Sequence, residues 1–86
     1  MPKAPAKYYR LQRHLEASAE AEVTLSFAEI EALIGASLPA TAQTLSWWTN
    51  AMRTPQARAW LEAGYHMREV RVQEQTVTFA RRVTDG

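Results

Sequence analysis

The feature that most constrains the fold is a short helix with clear signals at both ends. Ser26 and Glu29 are spaced as a capping box, in which each side chain can bond a backbone amide of the other residue. Behind this box, apolar residues recur at helical spacing, at Phe27, Ile30, Leu33 and Ile34. Gly35 follows and can adopt the left-handed conformation that ends a helix. The pattern predicts a helix over 27–34 that packs one face against a core.

Two further helices are predicted on either side of it. Apolar residues at helical spacing predict one helix over about 7–17. Thr54 is a favoured capping residue and Pro55 a favoured first helical residue, so a second helix is expected to begin there. Gly64 predicts where that helix stops.

Alternating β-branched and aromatic residues predict a hairpin with strands at 66–72 and 76–82. Its turn, Gln73-Glu74-Gln75, lacks the glycine or asparagine that hairpin turns usually contain. A third alternating segment, 23–25, is too short to be stable unless it pairs with the hairpin. We therefore expect a small antiparallel sheet of three strands.

The order of these elements predicts an α+β fold resembling a winged helix-turn-helix, with three or four helices. The helix-turn-helix is expected at about 26–48, with Gly35-Ala36-Ser37 as the turn and a second helix beginning near Pro39. The hairpin over 66–82 is expected to form the wing. Four polar residues of the second helix are candidate contacts to DNA bases, at Thr41, Gln43, Thr44 and Ser46. The alternative is a helical hairpin that serves only the core.

The charged residues occur in blocks that favour a polyanionic partner on one part of the surface. The first fourteen residues carry four cations and no acid, at Lys3, Lys7, Arg10 and Arg13. The next block carries five acids and no base, at Glu16, Glu20, Glu22, Glu29 and Glu31. Candidate phosphate contacts are Lys3 and Lys7 on the first block, Arg53 and Arg58 beside the start of the Pro55 helix, and Arg71 on the wing. The remaining wing cations are Arg68, Arg81 and Arg82. Solvated surface charge is the alternative interpretation for all of them.

Two adjacent tryptophans suggest a second possible function. Residues one apart on a helix point about 100° from each other, so Trp47 and Trp48 cannot share one narrow buried stripe. We expect one of them to pack in the core on Trp60 and the other to lie near the surface. An exposed Trp47/Trp48 surface would make the domain a protein-interaction module. Asn50 could read adenine or could cap a turn.

Other classes of function are disfavoured by the composition. The chain has no cysteine, no apolar run of membrane-spanning length, no metal-ligand spacing and no catalytic motif around His14 or His66. These features predict a non-enzymatic, cofactor-free protein of the cytoplasm of a bacterium-like cell. We expect a basic arm at 1–6, one domain at 7–83 and a frayed tail at 84–86. A homodimer is expected because one recognition helix seldom gives sufficient specificity.

Several short motifs together resemble a small bacterial domain family of unknown function. They are LSFAEIEALIG (25–35), LP (38–39), WWTN (47–50) and AWLEAGY (59–65). The resemblance covers about residues 7–81. It implies a helix-turn-helix-like module more than an enzyme, and it implies no particular ligand or binding residue.

Overall fold

The computed structural model describes residues 6–82 and has an α+β architecture, as predicted. The helices are α1 (Ala6–Glu16), α2 (Phe27–Ile34) and α3 (Pro55–Leu61), and the strands are β1 (Glu22–Ser26), β2 (Tyr65–Arg71) and β3 (Thr76–Arg81). Of the predicted arm, only Ala6 is described, as the first residue of α1. The predicted tail 84–86 lies outside the described residues.

The capping signals that predict α2 and α3 are confirmed. The Glu29 amide donates to Ser26 Oγ at 2.9 Å, and the Ser26 amide donates to Glu29 Oε1 at 2.7 Å. Gly35 ends α2 in the left-handed region, with φ of 70°. Thr54 caps α3, and Pro55 is its first residue. Local sequence therefore determines where both helices begin.

The three-stranded sheet is also confirmed, and its strands are antiparallel in the order β1-β3-β2. Val23 lies opposite Phe79 and Leu25 opposite Val77, so β1 pairs along its whole length with β3. In the turn between β2 and β3, Gln75 adopts φ of 59°. This residue takes the left-handed position that a glycine or asparagine usually fills, which explains how the hairpin closes without either.

A stack of aromatic rings forms the centre of the core. Phe27 of α2 stacks on Trp48 at 5.0 Å between ring centroids, Trp48 stacks on Trp60 of α3 at 5.9 Å, and Trp60 packs on Phe79 of β3 at 5.2 Å. The prediction that one tryptophan packs on Trp60 is confirmed, and that residue is Trp48, which is 1% exposed. We call these four rings the aromatic column.

The prediction of a helix after Pro39 is wrong. The segment instead forms two 3₁₀ turns, Ala40–Gln43 and Leu45–Trp47, separated by Thr44 in an extended conformation. The Trp48 indole donates to the Ala42 carbonyl at 2.8 Å, and the Thr44 hydroxyl donates to the Thr41 carbonyl at 2.6 Å. These side-chain hydrogen bonds to the local backbone compete with the backbone hydrogen bonds of an α-helix. The segment therefore forms two short turns and not a continuous helix.

The element order and the small sheet are compatible with a winged-helix-like arrangement. In this protein, however, the element where a recognition helix was expected is a pair of turns.

Candidate nucleic-acid interface

Helix α1 separates apolar from basic residues. Tyr8, Leu11 and Leu15 are buried against the rest of the domain. On the opposite side, the helix exposes Lys7, Arg10, Arg13 and His14. These four residues are called the basic face of α1 below. Lys7, Arg10 and Arg13 are spaced three residues apart and His14 lies four residues after Arg10, so the four residues follow one side of the helix.

The contacts of the basic face leave its charges at the surface. The Lys7 ammonium lies 5.5 Å from the centre of the Tyr8 ring. Arg13 forms an exposed ion pair with Glu16 at 3.7 Å. A hydrogen bond with Tyr9 raises the pKa of Arg13 above its ordinary value, and Glu16 contributes to the same shift, so this guanidinium stays charged. A Cβ on Gly35 would lie 3.8 Å from the Arg10 guanidinium, which places this cation beside the negative end of the α2 dipole.

Acidic residues of the second block are engaged in contacts within the domain. Glu29 caps α2, and the Glu31 carboxylate accepts a hydrogen bond from the Leu38 amide at 2.8 Å. Glu22 forms an ion pair with Arg68 of β2 at 2.9 Å. The ion pair offsets the charge of Glu22, and the hydrogen bonds fix the carboxylates of Glu29 and Glu31 within the domain.

Most cations of the described chain lack a carboxylate partner. Among residues 6–82, three arginines are ion-paired, at Arg13, Arg68 and Arg71. The cations of this range without an ion pair are Lys7, Arg10, Arg53, Arg58, Arg81 and Arg82. Arg81 instead donates to the Ser18 carbonyl and the Tyr65 hydroxyl.

The structure brings the candidate base contacts together on the two 3₁₀ turns, but not on a helix. Thr41, Thr44 and Ser46 are exposed there. Gln43 is also exposed, and its side-chain amide exchanges two hydrogen bonds with the amide of Gln75, at 3.2 and 2.7 Å. Gln43 therefore joins the first turn to the tip of the hairpin, and the helix that was expected to carry it is absent.

The Asn50 side chain is used within the fold, where it bonds Met67 of β2 and Trp60 of α3. Its Oδ1 accepts from the Met67 amide at 2.7 Å and from the Trp60 indole at 3.0 Å. Its Nδ2 donates to the Met67 carbonyl at 3.0 Å. Two hydrogen bonds thus hold the loop before α3 against β2, and the third satisfies the buried Trp60 indole.

The remaining candidate phosphate contacts are spread over the surface. Arg53 is exposed in the loop before α3, and Arg58 is half-buried on α3. Arg71 pairs with Glu69 at 3.5 Å, and Lys3 lies outside the described residues. Arg10 and Arg13 belong to the first block of cations, which as a whole favours a polyanionic partner. Their helical spacing from Lys7 on the polar side of α1 is the signal that places all three on one face.

The described residues offer little for other kinds of chemistry. Between residues 6 and 82 no group of three or more His, Asp or Glu residues could hold a metal ion. No described helix has the length and apolarity to cross a membrane. A cleft of about 290 Å³ lies where α2 begins, and Glu31, Gln43 and Gln75 contribute to its walls. The side chains of Glu31, Gln43 and Gln75 bond one another or nearby backbone.

These features define a small α+β domain with a winged-helix-like order of elements and a basic surface helix. A family model, described as a domain of unknown function (DUF7662), matches residues 8–83 of the chain. The chain belongs to this family. No curated protein and no solved structure matches it significantly.

Proposed function

We propose that this domain is a DNA-binding module, a small cytoplasmic regulator that contacts the phosphates of double-stranded DNA through the basic face of α1. The observation that carries the proposal is the exposure of Lys7, Arg10 and Arg13 along one side of a single helix. Nearby acids that could repel a polyanion are held in intramolecular contacts, including Glu22, Glu29 and Glu31.

The size of the basic face suits a phosphate backbone. From Lys7 to Arg13, α1 rises about 9 Å. Successive phosphates of one DNA strand are spaced at about 3.4 Å along the duplex axis, so this length spans between two and three of them. Each neutralised phosphate releases counterions, and this release drives binding that does not depend on base sequence. The domain then uses α1, rather than the 39–48 segment, as its principal contact.

Other cations extend the proposed surface. Lys3 precedes α1 in the chain and continues its run of positive charge. Arg53 and Arg58 have no ion pair within the described part of the chain and can add to the local positive potential. The domain acts as a binding module in this proposal and needs no cofactor.

A second candidate function rests on one exposed apolar residue. Leu45 is 67% exposed and lies in the same 3₁₀ turn as the half-buried Trp47. Trp47 packs edge-on against Tyr8, with ring centroids 6.2 Å apart. A protein partner could cover this side of the turn. Trp48 cannot take part, because it is buried in the aromatic column.

Fluorescence anisotropy with a labelled random duplex at several salt concentrations tests the DNA proposal. We expect the logarithm of the binding constant to fall with the logarithm of salt concentration, with a slope of about −3 if three phosphates are neutralised. In the double variant Arg10→Gln/Arg13→Gln, the slope should become less steep by about two. Binding at low salt should weaken by roughly tenfold or more.

A matched control removes two charges from elsewhere on the surface. Arg71→Gln/Arg82→Gln changes net charge by the same amount but leaves α1 unaltered. This variant should bind nearly as tightly as the parent chain. Equal losses in both double variants, or no binding by the parent chain at low salt, would contradict the role of α1. Leu45→Glu should leave DNA binding unchanged and would abolish binding of a protein partner that covers the turn.

A further inference from the structure

The backbone of β1 presents unused hydrogen-bonding groups along its outer edge. The Arg81 amide donates to the Ala21 carbonyl and the Phe27 amide donates to the Gln75 carbonyl, each at 2.8 Å. These two bonds lie just beyond the ends of the β1–β3 register, which has no shift between them. Antiparallel strands alternate between residues that bond the neighbour and residues that face away. Val23 and Leu25 therefore bond β3, whereas Glu22, Thr24 and Ser26 direct their backbone outward.

Most of these outward groups have no strand partner. Within residues 6–82, β1 pairs with β3 alone. The Ser26 amide is satisfied by Glu29, as expected for a group that faces away from β3. Among the described residues, the amides and carbonyls of Glu22 and Thr24 remain available to another strand, whereas the Ser26 carbonyl, as the N-cap of α2, accepts the first hydrogen bond of that helix. β1 also contains no proline and no bulge, two features that commonly protect an edge.

An apolar groove adjoins the same strand. It has a volume of about 300 Å³ and is lined by His14, Leu25, Glu29, Ala32 and Leu33. Leu25 belongs to β1, and the other lining residues come from α1 and α2. Strand addition combines backbone bonds with pockets for alternate side chains. Both requirements are met at this edge.

We propose that the outer edge of β1 binds β1 of a second copy of this chain, so that two three-stranded sheets join into one continuous sheet. A two-fold axis at Thr24 places Thr24 opposite itself, Val23 opposite Leu25 of the second copy, and Glu22 opposite Ser26. Thr24 of each copy then donates to and accepts from the other. Because the pairing preserves the alternation of the strand, Val23 and Leu25 of both copies face the groove side.

The composition of β1 makes this register self-complementary. Val23 is half-buried and Leu25 is buried, so the register joins two apolar residues across the new boundary. The only charged residue of the strand is Glu22, and it meets a serine rather than another acid. Its carboxylate is already paired with Arg68 at 2.9 Å. Like charges directly opposite each other, which destabilise strand pairs, are therefore avoided.

Thr24→Pro is a selective test, because the proline removes an amide that points away from β3. Prolines are tolerated in edge strands at such positions. Thr24→Val is the matched control, since it keeps the amide and loses only the side-chain bond to Thr78. Sedimentation equilibrium of the full chain should show reversible dimers for the parent and Thr24→Val. The dissociation constant of Thr24→Pro should be at least roughly tenfold higher, since two symmetry-related bonds are lost.

The groove supplies a second, independent pair of variants. Ala32 and Ala28 are both exposed on α2, but only Ala32 lines the groove. Ala32→Arg should weaken the dimer, whereas Ala28→Arg should leave it intact. Circular dichroism verifies that each variant is folded.

A parent chain that stays monomeric over a roughly hundredfold range of concentration would overturn the proposal, even if a foreign peptide binds this edge. A dimer insensitive to both Thr24→Pro and Ala32→Arg would overturn it as well. The measurement involves no DNA, so its result is separate from that of the proposed function.

Discussion

The two edge strands of the sheet, β1 and β2, differ in how their outward backbone groups are satisfied. Along β2, Asn50 bonds both backbone groups of Met67, and a register shift between Met67 and Glu69 interrupts the strand. Along β1, the register is regular, and the one outward amide that is satisfied belongs to Ser26. One edge is closed by a side chain and an irregularity, whereas the other leaves the outward backbone groups of Glu22 and Thr24 without a partner among the described residues.

The difference indicates how a small domain can restrict strand pairing to one side. An open edge is a template for pairing with another chain, and natural sheets commonly block edges that should not pair. If β1 pairs with a second copy as proposed, the closed β2 edge would limit association to one direction, and assembly would stop at two copies. Substitutions that open the β2 edge, or that alter the Ser26 end of the β1 edge, test this difference.

The largest effect is expected for Asn50→Ala. This change removes the acceptor of the Trp60 indole, which is fully buried, together with two bonds to Met67. We expect the free energy of unfolding to fall by about 2–3 kcal/mol, mostly because a buried donor loses its partner. Urea denaturation followed by tryptophan fluorescence measures it.

Asn50→Asp is the informative control for that change. The aspartate keeps an acceptor for the Met67 amide and the Trp60 indole but loses the donor to the Met67 carbonyl. Its loss of stability should be smaller than that of Asn50→Ala. If Asn50→Ala costs less than about 0.5 kcal/mol, Asn50 is not what closes the β2 edge.

A smaller effect is expected at the end of the open edge, for Ser26→Ala. The substitution removes the hydroxyl that accepts from the Glu29 amide and weakens the capping box of α2. Loss of such a cap costs about 1 kcal/mol. Thermal unfolding should show the change, and Ser26→Thr should retain most of the stability. A loss equal in the two variants would mean that the hydroxyl is not the important group.

The smallest effect concerns the turn that joins β2 to β3. Gln75 holds φ of 59°, which costs a residue other than glycine about 1–2 kcal/mol. Gln75→Gly relieves this cost, and both Gln75→Gly and Gln75→Ala remove the amide pair with Gln43. We therefore expect Gln75→Gly to be more stable than Gln75→Ala by about 1 kcal/mol, reduced by the greater freedom of unfolded glycine. Urea midpoints that rank the two in the opposite order would show that the turn relaxes on substitution.

Elements with strong local signals were predictable from the sequence. The capping box and Gly35 bound α2, Thr54 and Pro55 start α3, and alternation predicts the hairpin. Each of these signals acts through neighbouring residues. The segment at 39–48 was mispredicted because its shape depends on distant contacts. There Trp48 enters the aromatic column, and its indole bonds the Ala42 carbonyl.

The candidate site was predictable only in part for the same reason. Charge blocks in the sequence indicate where a polyanion could approach, and Lys7 lies on the basic face of α1. The capping box predicted the engagement of Glu29, but the sequence could not reveal that Glu22 pairs with Arg68 or that Glu31 accepts from the Leu38 amide. Nor could it reveal that Asn50 is used by β2, because Met67 is seventeen residues away along the chain.

The aromatic column has a consequence for how the native state opens. Its rings come from α2, Trp48, α3 and β3, so none of these elements can detach without exposing a large apolar surface. Amide protons of α2, α3 and β3 should therefore exchange with solvent only through global unfolding. The turns at 40–47 present mostly exposed side chains, and their amides should exchange through local opening at far lower cost. Two exchange regimes would then coexist within a few residues of Trp48.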